Sequence, residues 1–244
     1  MASITIADLV GNGTLNAEMA AVLWAAVDEQ QSFLTAAIPR LAGKTTTSNA
    51  VLALRPPEIP VTPVVGEPEV MQALAEERRG GYLTVAEFAQ APMPDYIWGE
   101  PVRRVFETVY EGGYALHAAL HAPSVDAAVR EVTHGNGVSD AHASVLKLVM
   151  YIERFGSSED DYWRRVTDLY EIERVEKGEP VGRSLFQWHE AADRFEQLAE
   201  PRQWGQDRAD LARRVSVVAH LAQSGQTGPA EVTAAVAAYR ASRS

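Results

Sequence analysis

The 244-residue sequence contains no cysteine. This absence excludes disulfide bonds, thiolate metal ligands and a cysteine nucleophile, and it agrees with a reducing compartment. No apolar run reaches the roughly 18 residues that a membrane-spanning helix requires, and the N-terminal segment lacks the charged and then apolar pattern of a secretory leader. We therefore expect an intracellular, cytoplasmic protein.

Positive charge is also scarce. The 22 Lys and Arg residues face 33 Asp and Glu residues, which gives a formal net charge of −11 and a pI of about 5.0. Because binding along nucleic acid requires net positive patches, this balance argues against general nucleic-acid binding. The sequence also lacks internal repeats and low-complexity tracts, and its 46% apolar and 23% charged residues are ordinary for a folded protein with a sizeable core.

What the sequence does contain is a regular alternation of apolar runs and helix-like segments. Strands alternating with helices at this spacing predict βαβ units, and hence an α/β fold with a mostly parallel sheet flanked by helices. Ligands of such a sheet bind beyond the carboxyl ends of the strands, and Lys44, Glu87 and His121 each lie at such an end. The predicted strands are 32–37, 59–65, 82–86 and 114–121, and the predicted helices are 16–31, 46–55, 68–79, 102–111 and 124–132.

The second half of the sequence has a different pattern, which predicts a β segment followed by a helical tail. We accordingly divide the chain into an α/β core over residues 1–155, a β-rich extension over 156–190 and a helical C-terminal tail over 191–244. The strands predicted here are 146–155, 162–175 and 184–189, and the helices are 204–223 and 229–241.

The segment IPRLAGKT, residues 38–45, lies between the first strand and a predicted helix and is similar to a phosphate-binding loop. Such a loop surrounds phosphates with backbone N–H groups, and it places a lysine on the β and γ oxygens and a hydroxyl on Mg²⁺. Gly43, Lys44 and Thr45 fit this plan, whereas Ile38 stands where the pattern G-x-x-x-x-G-K-[ST] has its first glycine. Alone, the tripeptide also fits an ordinary turn into a helix with an exposed lysine.

Further motifs follow this loop, and the ordered set resembles the ATPases that power type II and type IV secretion and pilus assembly. That family has a Walker A loop, an acidic Asp box, a Walker B strand ending in glutamate, and a His box. The similarity covers about residues 5–190 and includes the lead-in GNGTL at 11–15 and a late strand at 147–154. The four matching segments are LAGKTTT at 41–47, VVGEPE at 64–69, LTVAE at 83–87 and GYALHAALH at 113–121.

The resemblance implies an ATP-binding protein with Mg²⁺-dependent ATP hydrolysis. Lys44 would hold the β- and γ-phosphates, and Thr45 would ligate Mg²⁺. Glu87 would act on the Mg²⁺ shell or the attacking water, Glu67 would be the Asp-box acid near the nucleotide, and His121 would contact the γ-phosphate or relay its loss. The residues that would form the nucleotide-binding loop are Ala42, Gly43, Lys44, Thr45 and Thr46.

The same resemblance implies partners and a location. The chain would form homo-oligomeric rings and couple hydrolysis to a secretion or pilus machine, as a cytoplasmic protein that is peripheral at the inner face of the membrane. Stabilisation of transition-state charge would come from an arginine, and the sequence does not choose among the candidates. These are Arg78, Arg79, Arg103 and Arg104.

Several features depart from the family's pattern. Leu41, like Ile38, replaces a loop glycine, and Tyr114 replaces the first histidine of the His box. Fewer loop positions can then form an anion cradle, so we expect weaker nucleotide affinity. The sequence shows no counterpart of the family's large N-terminal domain. The alternative hypothesis is a degenerate relative that binds nucleotide without hydrolysis or is a structural partner of such an assembly, and an unrelated α/β domain with a fortuitous Gly-Lys-Thr is a third.

Other chemistry-bearing residues have plainer interpretations. His117 and His121 have the spacing of a zinc pair, but they lie in a predicted strand without the glutamate of an H-E-x-x-H motif, so we expect no metal site there. Arg164-Arg165 and Arg213-Arg214 are short charge runs, which we expect on solvated faces.

Overall fold

The computed structural model describes residues 3–38, 42–156 and 162–243. These residues form a mixed, mostly parallel nine-stranded sheet with helices on both faces, followed by two C-terminal helices. The α/β fold and the helical tail predicted from the sequence are thereby confirmed. Every helix in this described part of the chain is too short or too polar to cross a bilayer.

The elements are numbered in chain order. The strands are β1 Ser32–Ala37, β2 Val61–Pro63, β3 Tyr82–Phe88, β4 Tyr96–Ile97, β5 Ala115–His121, β6 Leu146–Gly156, β7 Tyr162–Glu176, β8 Glu179–His189 and β9 Arg194–Gln197. The α-helices are α1 Ile6–Gly11, α2 Ala17–Asp28, α3 Lys44–Leu52, α4 Pro68–Glu77, α5 Glu100–Gly112, α6 Val125–Arg130, α7 Asp140–Ala143, α8 Arg208–Ser224 and α9 Pro229–Ala241. A π-helical turn, Glu131–Gly135, continues α6, and a 3₁₀ turn, Glu190–Ala192, precedes β9.

The sheet has a parallel and an antiparallel half. Its strand order is β2-β3-β5-β1-β6-β7-β8-β9, and β4 pairs with β3. All pairings from β2 to β6, and that of β4, are parallel, whereas β6, β7, β8 and β9 pair antiparallel. Because β3, β5 and β1 are neighbours with the same direction, their carboxyl ends lie side by side.

Strand β1 shows how the sheet separates two apolar cores. Phe33 and Ala37 face the core that contains α2, α3 and α8, whereas Leu34 and Ala36 face the core that contains α4, α5 and α6. Side chains of a strand alternate between faces, and a parallel strand covered by helices on both sides is apolar throughout. This explains why the run 32–37 is buried at every position.

Local signals set several helix boundaries. Asn16 caps α2, since its side chain accepts a hydrogen bond from the Met19 N–H at 2.9 Å. Helix α9 spans the residues predicted from the sequence. Helix α3 begins at Lys44 rather than at the predicted residue 46. Its first intrahelical bond runs from the Thr47 N–H to the Gly43 carbonyl, at 2.9 Å, so the glycine itself stands at the helix start.

The prediction that the next helix begins at Trp204 was wrong. Trp204 is fully buried in the core, and Gly205 has a φ of +59°, which is incompatible with a helix. Helix α8 begins only at Arg208, after Asp207, whose side chain accepts the Asp210 N–H at 3.0 Å. Core packing of the tryptophan therefore separates it from the helical periodicity that follows.

Strand β8 begins at Glu179, earlier than the predicted residue 184. Lys177 and Gly178 form a two-residue turn with φ values of +54° and +79°, and Glu176 pairs directly with Glu179. Such turns match the twist of an antiparallel hairpin, so β7 and β8 pair from the first residue on either side of the turn.

The short elements β4, β9, α1 and α7 were not predicted.

The C-terminal helices attach to α2 through a buried ion-pair network. Arg214 is 2% exposed, and its guanidinium donates to Asp28 at 2.6 Å and to Asp210 at 2.7 Å. It also lies 4.8 Å from the ring centre of Trp24. The expectation that Arg213-Arg214 marks a solvated face is therefore wrong for Arg214, because two carboxylates and an aromatic ring compensate its burial.

Candidate functional site

Three of the residues predicted to share a site lie together at the carboxyl edge of the parallel half. Lys44 begins α3 shortly after β1, Glu87 lies near the end of β3, and His121 ends β5. The register of β3 against β5 shifts between Val85 and Phe88, next to Glu87. Segments far apart in sequence thus contribute one side chain each, as the strand order β3-β5-β1 requires.

These side chains contact one another directly. Lys44 Nζ lies 3.3 Å from Glu87 Oε2 and 3.0 Å from His121 Nε2, and His121 Nε2 lies 3.1 Å from Glu87 Oε1. The side chains of Lys44 and Glu87 are each 9% exposed, whereas that of His121 is 37% exposed. Burial lowers the pKa of Lys44, and the neighbouring Glu87 carboxylate partly offsets this effect.

Lys44 and Glu87 compete for one ring nitrogen of His121. Nδ1 lies 2.9 Å from the Ile38 carbonyl and 3.1 Å from the Ala37 carbonyl, which assigns a proton to Nδ1. Nε2 then has a single position, from which it either accepts from Lys44 or donates to Glu87. Lys44 also pairs with Glu87, so an anion that binds the Lys44 ammonium would change which of the three groups pair.

The N-terminus of α3 adds backbone donors to this edge. Gly43 precedes it with a φ of +90°, and no side chain caps the helix. The first N–H groups of a helix have no intrahelical acceptor, and the helix dipole makes them favourable for an anion. Thr45 is exposed, Thr46 is half-buried and Ala42 is buried. Loop residues 39–41, which include Leu41, lie outside the described residues.

A chain of buried polar groups anchors α3 to the sheet, and no sequence motif indicates it, because its members come from separate elements. Thr35 in β1 is fully buried, and its hydroxyl lies 2.9 Å from Ser48 Oγ and 3.4 Å from His117 Nε2. Ser48 donates to the Lys44 carbonyl at 2.7 Å. Burial lowers the pKa of His117 to about 3, so its imidazole is neutral near pH 7. The network fixes the position of Lys44 against β1 and β5.

The cluster opens into a cleft of about 930 Å³. Ligand pockets commonly measure about 300–1,000 Å³, so the cleft is large enough for a nucleotide. Residues 89–93, which follow β3, and Tyr96 form one wall. The described residues that line the cleft are Ile38, Ala42, Gly43, Lys44, Thr45, Thr46, Glu87, Ala89, Gln90, Ala91, Pro92, Met93, Tyr96, His121 and Arg164.

Other predicted site residues do not line the described part of this cleft. Glu67 is exposed at the start of α4 and makes no side-chain capping bond there, so its role stays a prediction. Arg104 donates to the Gly66 carbonyl at 2.9 Å, and Arg103 donates to the Asn136 carbonyl at 2.8 Å. Arg79 forms an exposed pair with Glu77.

Comparison with protein-family models finds no match. Two curated proteins of Methanocaldococcus jannaschii, both described as uncharacterized, are similar in sequence. MJ1287 is 27% identical over an alignment of 143 residues, and the match covers 51% of this chain and 52% of that protein. MJ0900 is 26% identical over an alignment of 216 residues, and the match covers 78% of this chain and 38% of that protein. The chain thus spans about half or less of the length of these relatives.

Two solved structures are similar in fold. The VirB11 ATPase from the Brucella suis type IV secretion system, in complex with sulphate, has a TM-score of 0.44 and 13% identity, and the match covers 61% of this chain and 50% of that one. The Legionella pneumophila ATPase DotB has a TM-score of 0.41 and 11% identity, with 57% and 45% covered. Similarity at this level carries no argument about function, which depends on the site itself.

Proposed function

We propose that the chain binds ATP with Mg²⁺ in the cleft at the start of α3. The observation that carries the proposal is the convergence of Lys44, Glu87 and His121, from three separated segments, beside the uncapped helix. An ammonium group, an imidazole and free backbone N–H groups are together suited to a polyphosphate.

Each group has a definite task in this proposal. The Lys44 ammonium leaves Glu87 and binds phosphate oxygens, and the first N–H groups of α3 donate to the same polyphosphate. The Thr45 hydroxyl, exposed in the cleft, is the side chain that would ligate Mg²⁺. The ion supplies neutralisation of phosphate charge, and hard cations of this kind prefer oxygen ligands.

Glu87 carries the proposed hydrolytic step. Once Lys44 pairs with phosphate, the Glu87 carboxylate can accept a proton from, or orient, an attacking water. His121 Nδ1 is already hydrogen-bonded to main-chain carbonyls at the end of β1, so its Nε2, which contacts Lys44 and Glu87, would link the terminal phosphate to that strand. Coupling of hydrolysis to a secretion or pilus machine, through homo-oligomers at the inner face of the membrane, extends the proposal and is supported by the order of the sequence motifs.

One observation favours the alternative, which is nucleotide binding without turnover. In this structure Glu87 is committed to Lys44 and His121, and the exposed Ile38 stands where a phosphate-binding loop has glycine. A glutamate that remains paired with the lysine is poorly placed to activate water. The two functions therefore differ in whether the bound nucleotide breaks the ion pair.

The first experiment is calorimetric titration with Mg²⁺ and a non-hydrolysable ATP analogue. The wild type should bind, and Lys44→Ala should lose measurable binding, because charge-assisted hydrogen bonds to phosphate are lost. Lys177→Asn is the matched control: it removes the same charge from an exposed turn and keeps a residue that tolerates φ > 0. No binding by the wild type, or equal binding by Lys44→Ala, would contradict the proposed site.

The second experiment separates the two functions. We expect Glu87→Gln to bind the analogue more tightly than the wild type, because a carboxylate that competes with phosphate for Lys44 is removed. If the chain is an ATPase, the same variant should abolish phosphate release from ATP. Tight binding by the wild type with no release of phosphate would select the non-hydrolysing alternative, and unchanged turnover in the variant would remove Glu87 from the mechanism.

A further inference from the structure

Arg164, expected from sequence on a solvated face, lies against the phosphate-loop glycine. A Cβ atom built on Gly43 would lie 2.9 Å from Arg164 Cδ, 3.0 Å from Nε and 3.3 Å from Cζ. Arg164 also lines the cleft that contains Lys44 and Glu87. A guanidinium from the antiparallel half of the sheet therefore reaches the loop of the parallel half.

The hairpin of β6 and β7 holds this side chain. Arg164 pairs across the hairpin with Arg154, and the Tyr162 ring lies 4.8 Å from the Arg164 guanidinium and 4.4 Å from that of Arg154. Cation–π contacts of this kind restrict a long side chain. The Tyr162 ring therefore helps to position the Arg164 guanidinium beside the cleft.

We propose that Arg164 is a phosphate-binding residue of the cleft, and that it acts within the same chain. Its planar fork of N–H donors suits phosphate oxygens better than a single ammonium does. A nucleotide seated on Lys44 and the first turn of α3 would bring its phosphates beside Gly43, against which Arg164 already lies. This inference rests on the proposed function of the same cleft and adds to it a phosphate-binding side chain from the antiparallel half of the sheet.

The test compares Arg164→Gln and Arg164→Lys with the wild type by calorimetric titration with Mg²⁺ and the non-hydrolysable ATP analogue. We expect Arg164→Gln to weaken binding at least about tenfold and Arg164→Lys to restore it only in part, because the ammonium keeps the charge without the fork. Arg208→Gln is the matched control, since Arg208 is exposed, pairs with Glu200 and does not line the cleft. Affinity for AMP, which lacks the polyphosphate, should be the same in the wild type and both variants.

The outcomes separate this inference from the proposed function. Wild-type binding that Lys44→Ala loses and Arg164→Gln retains would overturn the role of Arg164 and leave the ATP site intact. No binding by the wild type would overturn both. Equal tenfold losses in Arg164→Gln and Arg208→Gln would overturn the role of Arg164 as well, because they would show an effect of net charge alone.

A measurement on the wild type covers the case in which Arg164 variants do not fold. Phenylglyoxal modifies accessible arginines, and peptide mass mapping reads each position. With Mg²⁺ and the analogue bound, Arg164 should be protected and Arg208 should react as before. Equal modification of Arg164 with and without the analogue would overturn the proposal.

Discussion

The parallel and antiparallel halves of the sheet use buried charge differently. In the antiparallel half, Glu171 is fully buried and forms an ion pair with Arg183 at 2.6 Å. Its carboxylate also accepts hydrogen bonds from the backbone N–H groups of Arg202 and Gln203, at 2.7 and 3.1 Å. In the parallel half, Lys44 and Glu87 share one imidazole nitrogen that cannot satisfy both. Both carboxylate oxygens of Glu171 thus have partners inside the fold, whereas Lys44 and Glu87 pair with each other and with the partly exposed His121 at the edge of a cleft. A charge pair enclosed by the fold stabilises it, whereas a pair that faces a cleft can exchange its partner for a ligand.

The largest expected effect concerns the buried ion-pair network that attaches the C-terminal helices to α2. Arg214→Ala should lower the free energy of unfolding by about 3 kcal/mol, because it removes the buried guanidinium that bridges the Asp28 and Asp210 carboxylates. Asp28 retains Arg240, and Asp210 retains Tyr239 and Arg243, so the expected loss lies at the lower end for a broken buried pair. Urea denaturation measures the loss. The neighbour Arg213 has a 54% exposed side chain, and Arg213→Ala should cost no more than about 1 kcal/mol. Similar losses in both variants would show that the buried network contributes nothing specific.

An intermediate effect concerns the pH dependence of stability. Burial lowers the pKa of His117 from 6.5 in the unfolded chain to about 3, so between these values the unfolded state binds the extra proton. The stability that neutral His117 contributes is present above about pH 6.5 and falls as the pH drops, by about 1.4 kcal/mol for each pH unit. Urea denaturation at several pH values should therefore give a steeper acid loss for the wild type than for His117→Gln. Parallel pH curves would contradict the buried neutral state.

The smallest expected effect compares two glycines with similar backbone angles. Gly43 and Gly225 have φ values of +90° and +70°, so replacing either with alanine should cost about 1–2 kcal/mol of unfolding free energy. A Cβ on Gly225 meets no atom within 4 Å, whereas one on Gly43 meets Arg164. Only Gly43→Ala should therefore also weaken binding of the ATP analogue. Equal affinity in the two variants would show that displacing Arg164 leaves the cleft unaffected.

Much of the parallel half could be predicted from the sequence, because its signals are local. Uniformly apolar strands, an Asn cap and glycine breaks set β1, α2 and β5 close to their observed bounds. Because parallel strands have their carboxyl ends at one edge of the sheet, the predicted parallel sheet implies that Lys44, Glu87 and His121 lie at the same edge. In the structure their side chains lie 3.0–3.3 Å apart, and their roles as site residues remain proposals.

The errors came from tertiary contacts that leave no local pattern. Arg164 and Arg214 are each one of two adjacent arginines, and nothing within either pair shows that one faces Gly43 and the other lies between Asp28 and Asp210. Trp204 reads as part of the helix that follows it, and only its packing in the core separates the two. The division of the chain at residues 155 and 190 stays a prediction, although the sheet itself runs on from β6 into β7.

The most direct test of the central claim is a crystal structure of the chain with Mg²⁺ and the non-hydrolysable ATP analogue. Our account predicts polyphosphate at the N-terminus of α3, with Lys44 Nζ moved from Glu87 Oε2, now 3.3 Å away, to within hydrogen-bond distance of phosphate oxygens. An analogue bound elsewhere, or a cleft in which Lys44 still pairs with Glu87 beside the bound nucleotide, would contradict it.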